Sequence, residues 1–133
     1  MGIKRTASCR CGQLAILCTG EPVRVSVCHC HACQKRSGSA FAVQARFKSE
    51  DVRISGEERV WEGVADTGNV AVFRFCPVCG STAYYQGRPH GDLIAVPVGA
   101  FADSAFPQPN YSVYEKRKHA WLDIIGDEIE HID

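Results

Sequence analysis

Cys76-Pro77-Val78-Cys79-Gly80 places two thiols on one tight turn, with Pro77 fixing φ and Gly80 free to take the positive φ such turns often need. This is the form of a zinc knuckle, in which backbone N–H groups can also donate to sulfur. Two thiolates leave a tetrahedral ion half coordinated, so the knuckle requires a second pair elsewhere in the chain. Cys9-Arg10-Cys11-Gly12 offers one, again closed by a glycine. Cys9, Cys11, Cys76 and Cys79 are therefore the expected ligands of a closed structural zinc.

Between these pairs lies Cys28-His29-Cys30-His31-Ala32-Cys33, with three thiols in six residues. Cys28, Cys30 and Cys33 can fill three corners of a tetrahedron and leave the fourth to water or substrate, the pattern of a reactive zinc. Three thiolates also leave the ion less negative than four would, hence a stronger Lewis acid. The reading is two zinc ions per chain, with Cys28, Cys30 and Cys33 as the catalytic group. His29, between two of the thiols, joins that group as a residue that orients a ligand or relays a proton. Competing readings are a disulfide framework, a C-x-x-C redox pair, and one structural zinc with spare thiols. The C-x-C spacings strain a local bridge, and the strand–helix alternation of redox folds is missing. Cys18 stands alone and reads as a small buried hydrophobe.

The chain of 133 residues is 45% hydrophobic and 23% charged, the composition of one globular domain spanning 1–133. Fifteen Lys and Arg balance fifteen Asp and Glu, so no broad positive field recruits nucleic acid or anionic lipid. No apolar run is long enough to span a membrane. Residues 1–8 show no apolar leader and read as a plain lead-in, which points to a cytoplasmic, reducing compartment. Eight unligated thiols there would invite oxidation, which favours metal.

Period-two alternation in Val23–Val27 and Phe41–Phe47 predicts half-buried strands. Short β-branched or aromatic runs at Leu14–Cys18, Val70–Phe75, Ala83–Tyr85, Leu93–Val98 and Ser112–Tyr114 add more. Glycine and proline punctuate the chain throughout, as at Gly20-Glu21-Pro22 and Gly87-Arg88-Pro89, leaving short helices at His31–Arg36 and His119–Ile124. The fold class is mainly β with little helix. Trp61, Trp121, Phe73, Phe75, Tyr84 and Tyr85 read as core, and His90, His119 and His131 as surface or packing. Arg10, Lys35 and Arg36 sit beside the thiols and could offset their charge or receive carboxylates.

The three cysteine clusters together resemble the glutathione-dependent formaldehyde-activating enzyme family, which includes the centromere protein V domain. The resemblance rests on Ser8-Cys9-Arg10-Cys11-Gly12, on Cys28-His29-Cys30 with Cys33 and Arg36-Ser37-Gly38-Ser39-Ala40-Phe41, and on Phe75-Cys76-Pro77-Val78-Cys79-Gly80-Ser81. It runs from near residue 8 to near residue 125, where Tyr114–Leu122 with Trp121 resembles the family's ending. It implies a zinc-stapled β-tent, a structural zinc on Cys9, Cys11, Cys76 and Cys79, and a reactive zinc on Cys28, Cys30 and Cys33. It further implies a carbon–sulfur lyase acting on a thiol–aldehyde adduct such as S-hydroxymethylglutathione, with a small-molecule thiol, glutathione, as partner. The alternative reading is a non-catalytic, zinc-stabilised binding module.

Overall fold

The alternating stretches become strands wherever one face can be buried. The computed structural model describes residues 2–65, 67–88 and 91–133; Pro89 and His90, read above as a turn residue and a surface histidine, lie outside them. Strands β1 (Lys4–Ser8), β2 (Ala15–Thr19) and β5 (Val52–Ser55) form an antiparallel sheet in the order β1-β2-β5. An eight-stranded sheet contains β3 (Arg24–Cys28), β4 (Ala42–Lys48), β6 (Arg59–Val64), β7 (Val70–Phe75), β8 (Thr82–Arg88), β9 (Leu93–Pro97), β10 (Tyr111–Val113) and β11 (Glu130–His131). Its order is β11-β10-β3-β4-β9-β8-β7-β6, antiparallel except that β10 runs parallel to both β3 and β11. The helix α1 (His31–Ser37) is the one α-helix among the described residues. The protein is mainly β, as its alternation implies.

The two faces of the large sheet have different fates, and the register shows why. Val25 lies opposite Ala45, and Ala45 opposite Val96, so one face carries a continuous apolar row. With Phe47 and Ile94 it packs against Ala7, Leu14, Ile16 and Cys18 of the small-sheet side, forming the core. Burying a side chain such as Phe47 or Leu14 stabilises the fold by roughly 1.5–3 kcal/mol. On the other face the same register aligns Arg24, Arg46, Ala95, Tyr85, Phe73 and Trp61, one from each of six neighbouring strands. That face does not pack on the core.

Three expectations are corrected. The N-terminal lead-in is instead β1, whose pairing with β2 buries Ala7 completely; one small apolar residue in Lys4–Ser8 is too faint an alternation to announce a strand. The helix at His119–Ile124 does not form. A 3-10 turn at Glu115–Arg117 and a single turn closed by Leu122 N–H on His119 C=O replace it, because so short a segment has no packing to offset helix nucleation. Trp61 and Trp121 are not core but 58% and 73% exposed. No helix among the described residues is long and apolar enough to cross a membrane.

Candidate metal centres

The first cluster borders the core, with Cys9 and Cys76 among its buried residues. Cys9 leaves β1 in a turn closed by Gly12 N–H on Cys9 C=O, while Cys76 leaves β7 in a turn closed by Gly80 N–H on Cys76 C=O. Gly80 takes φ 79°, a conformation that its missing Cβ permits. The four sulfurs of Cys9, Cys11, Cys76 and Cys79 all lie within 4.8 Å of one another. Cys9 Sγ is 3.6 Å from Cys11 Sγ, which is 3.8 Å from Cys76 Sγ. Bonds of about 2.3 Å from zinc to four tetrahedral sulfurs would set edges of about 3.8 Å, so this donor set fits the ion.

The surroundings favour thiolate. Leu14 N–H donates to Cys9 Sγ at 3.3 Å, and Val78 N–H to Cys76 Sγ at 3.3 Å. The Gln13 amide donates to Cys76 Sγ at 3.0 Å and to Glu57 C=O at 2.7 Å, while its oxygen accepts from Glu57 N–H at 2.9 Å. Burial opposes ionisation of Cys76, but Gln13 and the N–H groups of Cys79 and Val78 outweigh it and pull its pKa below the usual thiol value. Hydrogen bonds from Ser81, first its hydroxyl and then its N–H, hold Cys79 down at about 5. Gln13 carries no motif and was not anticipated; its signal emerges only once the knuckle is folded against residues 9–14.

The second cluster is built by the end of β3 and the start of α1. Cys28 closes the strand, Cys30 is the N-cap of α1 and accepts from Cys33 N–H at 3.3 Å, and Cys33 sits in the first turn. Gly38 at φ 72° ends the helix, its N–H on Gln34 C=O. The sulfurs of Cys28, Cys30 and Cys33 lie within 4.8 Å of one another, Cys28 buried and the others half-buried. So close a set does not ionise together without a cation. Hydrogen bonding from Cys33 lowers the Cys28 pKa, and the same bond raises that of Cys33; burial raises that of Cys30. A dication is the partner that lets all three be anions, so this donor set also fits zinc, with one corner open.

His29 is completely buried on the other side of the loop. Its Nε2 lies 2.9 Å from Ser112 Oγ, and Nδ1 has no hydrogen-bond partner among the described residues. Burial lowers its pKa, so the ring is neutral. His29 N–H donates to Val113 C=O, and its carbonyl accepts from Gln34 at 2.7 Å, fixing the peptide between Cys28 and Cys30. The ring nitrogens do not join either sulfur group. Cys18 is buried in the core, outside both groups.

The trio opens onto a cleft of about 1250 Å³ on the outward face of the large sheet. Ser26, Gln44, Tyr85 and Phe73 line it, with the cations Arg24, Lys35, Arg36 and Arg46 and the carboxylate residue Asp133. Arg46 donates to Ser26 Oγ at 3.1 Å, and Gln44 donates to the same oxygen at 3.2 Å. The Arg36 guanidinium sits 4.8 Å from the Tyr85 ring centroid and 5.5 Å from that of Phe73. Burial pushes the Tyr85 phenol up to about 12, so it stays protonated. Of the basic residues singled out in the sequence, Lys35 and Arg36 reach the cleft, whereas Arg10 does not line it. Arg24, Ser26, Gln44 and Arg46 were missed, although the period-two pattern of β3 and β4 already puts Arg24 and Ser26 on the same face as Cys28.

Residues 4–117 match the model of a protein family described as glutathione-dependent formaldehyde-activating enzyme. Among solved structures, a Rhodobacter sphaeroides protein determined as a structural-genomics target is similar over 71% of this chain and 85% of that one, at 25% identity and a TM-score of 0.54. No curated protein matches the chain.

Proposed function

The chain belongs to the glutathione-dependent formaldehyde-activating enzyme family, and from that premise we propose that it is a zinc-dependent carbon–sulfur lyase acting on a thiol–aldehyde adduct. The observation that carries the proposal is three convergent sulfurs, with no fourth ligand in their group among the described residues, opening onto a cleft large enough for a tripeptide thiol. Residues 1–133 act as one zinc-binding unit in the cytoplasm, with Cys9, Cys11, Cys76 and Cys79 as the structural ligands and Cys28, Cys30 and Cys33 as the reactive ones. When bound by the trio, zinc supplies Lewis acidity at an open corner, which favours the thiolate form of an entering thiol.

The chain's own residues do the rest. The apolar walls of the cleft exclude water and strengthen the charges within it. Arg46, half-buried and braced on Ser26, and Arg36, held over two rings, present guanidinium donors to the carboxylates of glutathione and to oxygen charge developing on the carbonyl. His29 keeps the Cys28–Cys30 peptide in place through its backbone bonds and its ring contact with Ser112. In the synthetic direction the C–S bond forms, the C=O π pair moves to oxygen, and the thiol proton ends on that oxygen. The lyase direction reverses these movements, and neither needs an oxidant or reductant.

Exchange NMR with ¹³C-formaldehyde and glutathione tests the reading. Protein with zinc should speed interconversion of free and adducted formaldehyde at least about tenfold over buffer, and Cys30→Ser should lose that acceleration while staying folded. Equal rates with and without wild-type protein would leave the non-catalytic zinc module as the better account.

A further inference from the structure

The outward face of the large sheet carries one row of directly opposed residues: Arg24, Arg46, Ala95, Tyr85, Phe73 and Trp61. The row is polarised. Arg24 and Arg46 face each other on β3 and β4, and like charges directly opposite destabilise a sheet. Among the described residues neither has a carboxylate partner: Arg24 lies over the Tyr111 ring at 4.0 Å, with its Nε buried and unbonded, and Arg46 bonds to Ser26. An anion between them would remove the repulsion.

At the other end three aromatic rings are held against one another, Trp61 exposed, Phe73 half-buried and Tyr85 buried. Trp61 and Phe73 ring centroids are 5.6 Å apart, and those of Phe73 and Tyr85 5.0 Å. The indole lies across Gly63, where a Cβ would come within 2.6 Å of its ring, so Gly63 makes room for Trp61 to lie flat on the strand. The ring is nevertheless 58% exposed and lines the cleft. Three strand spacings of about 4.8 Å put Arg46 and Phe73 roughly 14 Å apart. A one-carbon carbonyl adds a single bond to a thiol and brings no flat apolar surface to lie on the rings.

Resting on the lyase reading, we infer that this cleft takes the adduct of an aryl or similarly flat apolar aldehyde in preference to that of formaldehyde, which it also turns over. The apolar half lies on Trp61, whose ring is backed by Phe73, while Arg36 sits over the Phe73 and Tyr85 rings beside it, and the thiol half ends in a carboxylate held between Arg24 and Arg46. Charge complementarity at one end and a pre-set aromatic surface at the other define the substrate's two poles, with the sulfur trio on the same cleft.

Calorimetric titration of the zinc-loaded protein with S-benzylglutathione and S-methylglutathione tests this without any turnover. The benzyl probe should bind at least about tenfold tighter than the methyl probe. Trp61→Ala should bring the two within about twofold while Trp61→Phe keeps most of the preference, and Arg46→Gln should weaken both alike by about tenfold. Each variant's zinc content confirms its fold. Equal binding of the two probes by wild-type protein, or a preference untouched in Trp61→Ala, overturns the inference. Adduct formation from formaldehyde, followed on the same preparation, separates the two ideas. An aryl preference without any adduct chemistry sinks the lyase reading alone, and adduct chemistry without an aryl preference sinks the inference alone.

Discussion

Gln13 shows how much a single side chain with no motif can carry. It donates one N–H to the Cys76 sulfur and the other to Glu57 C=O, while its oxygen accepts from Glu57 N–H, so one amide ties three parts of the chain at the four-sulfur cluster. Partners that bond a metal's ligands typically account for 10–100-fold in metal affinity. Gln13→Ala should therefore weaken zinc at this cluster by about 10–100-fold in a competition titration with a chromophoric chelator. An affinity unchanged within about twofold would show the amide to be a spectator. The cysteines themselves were readable because their chemistry is written in spacing, whereas Gln13 was not, because its role exists only after residues 9–14 fold onto the knuckle. Arg24 and Arg46 fall between these cases: their face was computable from period two, but which face looks outward depends on which one the small sheet covers.

Among the elements, β3 and β4 match their alternation because each turns one apolar face to the core, and the short apolar runs of β7 and β9 form strands beside them. Strands β1, β5, β6 and β11 bury little and were invisible for that reason; β6 is an edge strand with Gly63 as its one buried residue. β11 is a two-residue strand and is held by more than its ladder. His131 Nδ1 lies 2.6 Å from Glu115 Oε2, and Glu115 N–H donates to Ile132 C=O. Burial opposes ionisation of Glu115, but its hydrogen bonds with His131 and Ser112 outweigh it and lower the pKa below the ordinary carboxylate value. A lowered folded pKa contributes stability above the unfolded value and loses it as pH falls through the folded one. Hydrogen exchange at Ile132 N–H, which bonds Ser112 C=O, should thus be faster in Glu115→Gln than in wild type at neutral pH, the difference shrinking as the pH drops below about 4. A difference independent of pH would mean the carboxylate charge plays no part.

At the scale of the whole molecule, two sheets and two sulfur clusters divide the labour. The inner faces make the core, and the four-sulfur cluster clamps its edge through residues more than sixty positions apart. The outer face of the large sheet is left for a cleft, with the three-sulfur cluster and α1 at its side. A closed site and an open one in the same chain call for unequal behaviour, since a structural zinc contributes on the order of 10 kcal/mol to folding and an open one need not. The most direct test is native mass spectrometry of the wild-type chain and of Cys30→Ser, each with and without glutathione. The account predicts two zinc ions on the wild type with one retained glutathione, and one zinc with no glutathione on a still-folded Cys30→Ser. A single zinc on the wild type, or two zincs that never retain glutathione, would contradict it.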